Sequence, residues 1–84
     1  MRYRLSKHAA EEIRRRGITA KQIELVMNHP EQIVPEQGRT VYQSRFDFPA
    51  GVFLLRVVVV DAIDPAVIVT AYRTSKIAKY WRAT

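Results

Sequence analysis

Nine consecutive positions, Val52 to Val60, are apolar except for one arginine at their centre, Arg56. A strand with one wet face alternates apolar and polar side chains, so an unalternating β-branched run reads as a central strand covered on both sides. The run is far short of the roughly 20 apolar residues that cross a membrane, so no membrane partner is expected. The chain must therefore cover both faces of one sheet, and it has 84 residues to do so. A chain this short buries only about 60–65% of its unfolded surface and holds one core, which predicts a single domain over residues 1–84. With no cysteine it holds together by packing alone, and neither a disulfide framework nor a thiolate zinc site is available. The N-terminal Met1-Arg2-Tyr3-Arg4-Leu5-Ser6-Lys7-His8 lacks the apolar core of a signal peptide, and a cytoplasmic location is expected.

The flanking segments supply the cover. Tyr3 to Leu5 is a short strand candidate, and Ser6 is placed to cap a helix from Lys7 to Arg16 that stops at Gly17. Thr19 and Gln22 have the spacing of a capping box for a second helix, which runs to Asn28 before Pro30. Only Arg16-Gly17-Ile18 separates the two helices, which predicts a helical hairpin lying on the sheet. Further strands are expected over Gln32 to Pro35, Thr40 to Phe48, Val52 to Asp61 and Ala66 to Arg73. A short basic helix, Lys76 to Arg82 with Ser75 as its cap, closes the chain. The order β-α-α-β-β-β-β-α is that of an α+β domain.

Net charge is +6, and it is segregated. Residues 1–21 carry +5, residues 22–65 carry −3 and residues 66–84 carry +4, with no acid in the last segment. Basic ends on a neutral body point to a polyanionic partner, either nucleic acid or an acidic protein. His8 and His29 stand apart without a ligand motif around them, and neither a phosphate-binding loop nor a nucleophile elbow is present, so no metal and no cofactor are expected. Arginine, lysine, tyrosine and histidine remain, the side chains that hold phosphates and move protons unaided.

Among these, Arg56 reads either as a phosphate ligand projecting from the central strand or as half of a salt bridge with Asp47, Asp61 or a helix glutamate. A four-residue loop pairing Phe48 with Phe53 would set Arg45 opposite Arg56, whereas pairing Phe48 with Val52 would turn them to opposite faces. His8, opposite the apolar stripe of the first helix, suits general acid or base work, or else simply pairs with Glu12. In the tail, Arg73, Lys76 and Lys79 interleave with Tyr72, Tyr80 and Trp81, a pattern suited to RNA contact, while Ile77, Tyr80 and Trp81 also have the spacing of a docking stripe.

Ser6-Lys7-His8-Ala9, Arg16-Gly17-Ile18, Asn28-His29-Pro30-Glu31, Val41-Tyr42-Gln43-Ser44-Arg45, Leu55-Arg56-Val57-Val58-Val59, Val69-Thr70-Ala71-Tyr72-Arg73-Thr74-Ser75-Lys76 and Tyr80-Trp81 together resemble a family of small uncharacterised bacterial proteins grouped with RelE- and BrnT-like toxins. The resemblance implies a RelE-like α+β fold, a helical hairpin on a small antiparallel sheet with a short C-terminal helix. It also implies a metal-independent endoribonuclease, the toxin of a toxin–antitoxin pair, in which a ribose 2′-OH attacks its adjacent phosphate. The partners it implies are RNA, free or ribosome-associated, and a small antitoxin protein. Carried onto this chain, His8, Arg56 and Arg73 take catalytic roles, and Arg16, Arg45, Lys76 and Lys79 are RNA contacts. Relatives often carry arginine where Glu12 stands, which leaves the basic face of the first helix weaker here. The alternative is a non-catalytic basic module that binds nucleic acid or an acidic protein.

Overall fold

A computed structural model describes residues 1–83. The elements are β1 (Tyr3–Leu5), α1 (Lys7–Arg15), α2 (Ala20–Asn28), β2 (Gln32–Glu36), β3 (Arg39–Phe48), β4 (Gly51–Val60), β5 (Ala66–Thr74) and α3 (Ile77–Tyr80). They form an α+β fold with one five-stranded sheet in the order β1-β5-β4-β3-β2. The apolar run is the central strand, as its composition requires. Leu55, Val57 and Val59 of β4 face the two long helices and meet Ala9, Ile13, Ile23, Val26 and Met27. On the far face Leu54 and Arg56 are buried along with Val34, Val41 and Val67 of neighbouring strands.

Two features depart from the expected hairpin on an antiparallel sheet. First, the sheet is mixed, because β1 pairs in parallel with β5 while all other pairs are antiparallel. Second, the long helices do not form a hairpin: α1 lies against β5 and β1, and α2 against β3 and β4. The connection explains this. Gly17 N–H donates to Arg14 C=O at 3.2 Å and Ile18 N–H to Ile13 C=O at 3.0 Å, the paired bonds of a Schellman motif. That motif drives Ile18 into the core beside Ile13, so the linker is itself core and each helix is seated by the sheet.

Gly17 sits at φ 69°, where an added Cβ would touch nothing within 4 Å. Gly17→Ala therefore costs backbone strain alone, about 1 kcal/mol, and should lower the melting temperature by about 4–8 °C, measured by far-UV circular dichroism. Gly17→Asn should lose less, because asparagine tolerates this conformation better.

The β3–β4 turn is tighter than either register considered from sequence. Phe48 pairs with Gly51, so Arg45 falls opposite Leu54 and Gln43 opposite Arg56. Arg45 and Arg56 share a face, diagonally rather than side by side. The C-terminal helix is also shorter than expected and Ser75 does not cap it; Thr74 Oγ1 accepts the Lys76 N–H instead.

One irregularity shapes the outer edge of β5. The β4–β5 register shifts between Val58 and Val59, leaving Val69 as an extra residue on β5. The bulge lets Ile68 and Ala71, three residues apart, both face the helices. β1 stops at this level: Ser6 N–H bonds Ile68 C=O and the chain turns into α1. Beyond the bulge no strand among the described residues lies beside the outer edge of β5.

Candidate anion-binding cleft

The central arginine is committed to structure. Arg56 is 1% exposed. Its Nε donates to Gln43 Oε1 at 2.9 Å, Nη1 to the Tyr72 hydroxyl at 2.7 Å and Nη2 to Glu36 Oε2 at 2.7 Å. The Tyr80 ring closes over it, its centroid 4.3 Å from Cζ. The network continues across the sheet: Gln43 Nε2 donates to Gln32 Oε1 and to Tyr80 C=O, and the Gln32 amide exchanges two hydrogen bonds with the backbone of Arg82. The side-chain row Tyr72-Arg56-Gln43-Gln32 thus straps the C-terminal segment onto the far face of the sheet. No described buried side-chain nitrogen or oxygen lacks a partner. The expected catalytic role of Arg56 is therefore corrected, because no face of the guanidinium is open to a phosphate. Its ion-pair partner is Glu36 at the end of β2, not the Asp47, Asp61 or helix glutamate considered from sequence.

Arg45 is committed as well. Its backbone N–H and Nε bond Glu31 Oε1, Nη2 bonds Glu31 Oε2 at 2.8 Å, and the guanidinium lies 4.4 Å from the Trp81 ring centroid. An anion need not bridge Arg45 and Arg56, because each already has its own carboxylate. Trp81 and Tyr80 pack as the docking stripe rather than standing free as a stacking platform.

These pairs set an acid dependence. The hydrogen bond from Arg56 holds the Glu36 carboxyl below its ordinary value of 4.5, and the side-chain hydrogen bond from Arg45 does the same for Glu31. A carboxyl depressed in the folded state stabilises fully above its unfolded value, and the contribution is lost as pH falls through the lower folded value. The urea midpoint should stay level from about pH 7 to pH 5 and drop in more acid solution. In Glu36→Gln that drop should be smaller. An equal drop in the variant would remove Glu36 from the account.

The cations that remain available meet at the free edge of β5. Arg15, Arg16, Thr70, Tyr72 and Arg73 line an open cleft of about 730 Å³. Arg16 Nη1 donates to Ala71 C=O at 2.8 Å, covering an edge carbonyl that would otherwise face solvent. Its Nη2 and the Arg15 guanidinium both bond the Glu12 carboxylate, so one acid serves two cations. Arg73 is exposed and has no carboxylate partner among the described residues; its Cζ lies 4.4 Å from the Phe48 ring centroid and 5.5 Å from that of Phe53. Arg15, Arg16 and Arg73 against Glu12 leave a local excess of two positive charges.

Of the residues singled out from sequence, Arg16 and Arg73 come together here. Lys76 and Lys79 are exposed but do not line the cleft, and Lys79 Nζ lies 5.2 Å from the Tyr80 ring centroid. His8 is exposed in the first turn of α1 and is not a lining residue; Glu12 pairs with the arginines rather than with it. Arg15 and Thr70 were not singled out, and Tyr72 only as one of the aromatics interleaved with the cations of the tail. The signal for Arg15 was present in the Arg14-Arg15-Arg16 run, but choosing among the three requires knowing that α1 ends beside β5. Among the described residues no group of three His, Asp or Glu side chains is placed to hold a metal ion, and no helix is long and apolar enough to cross a membrane.

Residues 5–73, from the last residue of β1 nearly to the end of β5, match the model of a family described as a domain of unknown function, DUF4258. The chain belongs to this family. The DUF4258 span contains all five cleft residues along with Phe48 and Phe53, whereas α3 and Trp81 lie beyond it. No curated protein and no solved structure matches the chain significantly.

Proposed function

We propose that this DUF4258 domain is an RNA-binding module that grips the phosphate backbone in the cleft between α1 and β5. One observation carries the reading: the two basic ends of the chain, separate in sequence, supply Arg15, Arg16 and Arg73 to one open surface. Guanidinium groups match phosphate oxygens in geometry and charge, and edge backbone beside them adds polar groups. A duplex-reading helix is a poorer account, since the exposed positions of α1 include Glu11 and those of α2 include Glu24. Fluorescence anisotropy with a labelled RNA oligonucleotide, titrated across salt concentrations, tests it. Engagement of all three arginines predicts a log–log salt slope of about −2, at roughly 0.7 per neutralised phosphate on a single strand. Absent binding, or binding indifferent to salt, would end the proposal.

A second reading, metal-independent RNA cleavage by a RelE- or BrnT-like toxin, has one geometric observation in its favour besides the sequence resemblance. His8 and Arg15 are seven residues apart on α1, which puts them within about 20° of the same azimuth and about 10 Å apart along the axis. RNA held at Arg15 and continuing along α1 would pass His8. The imidazole would take the 2′-OH proton as that oxygen attacks the adjacent phosphorus and the 5′-oxygen leaves with a proton from water, giving a 2′,3′-cyclic phosphate, while Arg73 in the cleft would hold a neighbouring phosphate of the same strand. In that setting the protein is cytoplasmic, and a small antitoxin is expected to cover the cleft. Cleavage in EDTA that is lost in His8→Ala supports this reading; binding without cleavage leaves the module alone.

A further inference from the structure

We infer that the half-buried pair Phe48 and Phe53 forms a base-stacking subsite continuous with the cleft, so that the ligand is single-stranded RNA with its bases unpaired. The inference rests on the phosphate-binding reading above and adds the substrate class. Both rings project from the face of the sheet that carries the helices, at the β3–β4 turn. Phe46, the cross-strand partner of Phe53, packs against the core, whereas Phe48 and Phe53 lie outside the core cluster. Their centroids are 5.6 Å apart with the rings near perpendicular at 87°. Arg73 joins the two regions: it lines the cleft and also rests on both rings. A cation beside two aromatic rings, adjoining two further arginines, is the composition of a surface that neutralises a backbone and stacks the bases attached to it. A duplex keeps its bases inside and can use only the cationic half.

The test is fluorescence anisotropy with a labelled oligouridine of about twelve nucleotides and an RNA duplex of equal length. Wild type, Phe48→Leu, Phe53→Leu and Phe53→Trp are compared, with folding followed by circular dichroism. Oligouridine should bind at least about tenfold more tightly than the duplex, and each leucine variant should lose about tenfold for oligouridine with an unchanged salt slope. Duplex binding should not respond to the leucine substitutions. Phe53→Trp should keep the affinity, and its added tryptophan fluorescence should be quenched on binding; this arm decides the matter if a leucine variant fails to fold. Equal affinity for strand and duplex, or leucine variants that keep full affinity, or an unquenched tryptophan would overturn the stacking subsite while leaving the phosphate reading intact. Failure of wild type to bind either RNA would overturn both.

Discussion

Arg56→Ala should leave a chain that is severely destabilised rather than one of normal stability that is merely inactive. The substitution strands the Glu36 carboxylate, the Gln43 carbonyl oxygen and the Tyr72 hydroxyl without their shared donor, and it removes the cation beneath the Tyr80 ring. The Glu36 carboxylate is 38% exposed and regains water, but the buried Gln43 oxygen left without its donor costs about 1–3 kcal/mol and the cavity left by the side chain adds about 2 kcal/mol. An 84-residue domain has about 4–12 kcal/mol in all, at roughly 0.05–0.15 kcal/mol per residue. Urea unfolding followed by Trp81 fluorescence should show the midpoint falling by about 3 M, given a slope near 1 kcal/mol/M for a chain this small. Replacing the whole group with uncharged side chains, Arg56→Met with Glu36→Gln and Gln43→Leu, should cost less than the single alanine, because no charge is left unpaired. A folded Arg56→Ala with a wild-type midpoint and selectively lost RNA binding would return this arginine to the role of ligand.

The second large effect is functional. Arg15→Ala with Arg73→Ala should weaken RNA binding by about 100-fold or more, at about tenfold for each charge-assisted phosphate contact, and should bring the salt slope from about −2 to about −0.7. Stability should stay within about 1 kcal/mol of wild type, since the Arg15 ion pair is exposed and Arg73 has no carboxylate partner among the described residues. Arg16 is left out of this pair because its bond to Ala71 C=O holds the end of α1 to the sheet. Lys76→Ala with Lys79→Ala provides the contrast. Those lysines lie off the cleft, and their joint removal should change affinity by less than about threefold. If the lysine pair mattered more than the arginine pair, the binding surface would have to move to the C-terminal segment.

What could be read in the sequence was local. Ser6, Gly17 and the Thr19–Gln22 box each mark a helix end through bonds spanning three to five residues, and they mark it correctly. The central position of β4 follows from its unbroken apolar composition. The rest depends on which distant segments become neighbours. Glu36 cannot be matched to Arg56 without the β2–β3 register, and Gln43 cannot be seen as a relay without the two-residue turn that sets it opposite Arg56. The extra Val69 leaves no mark in composition, yet it marks where β5 loses its outer neighbour. Charge counting picked out Arg16 and Arg73, which the fold brings together, and also Arg56, which the fold buries, because a formal charge does not reveal whether a carboxylate has already claimed it.

The pairing of β1 with β5 has a further consequence for when the protein becomes competent. Tyr3–Leu5 cannot find its partner until Ala66–Ile68 exists, more than sixty residues later. Contacts of such separation close late and slow the folding of small domains. Arg15 and Arg16 are made early in synthesis, but they acquire Arg73 as a companion only when the last strand joins the sheet. A nascent or truncated chain thus carries a basic helix without the cleft, and on the proposed reading RNA affinity would report completion of the fold rather than the mere presence of its charges.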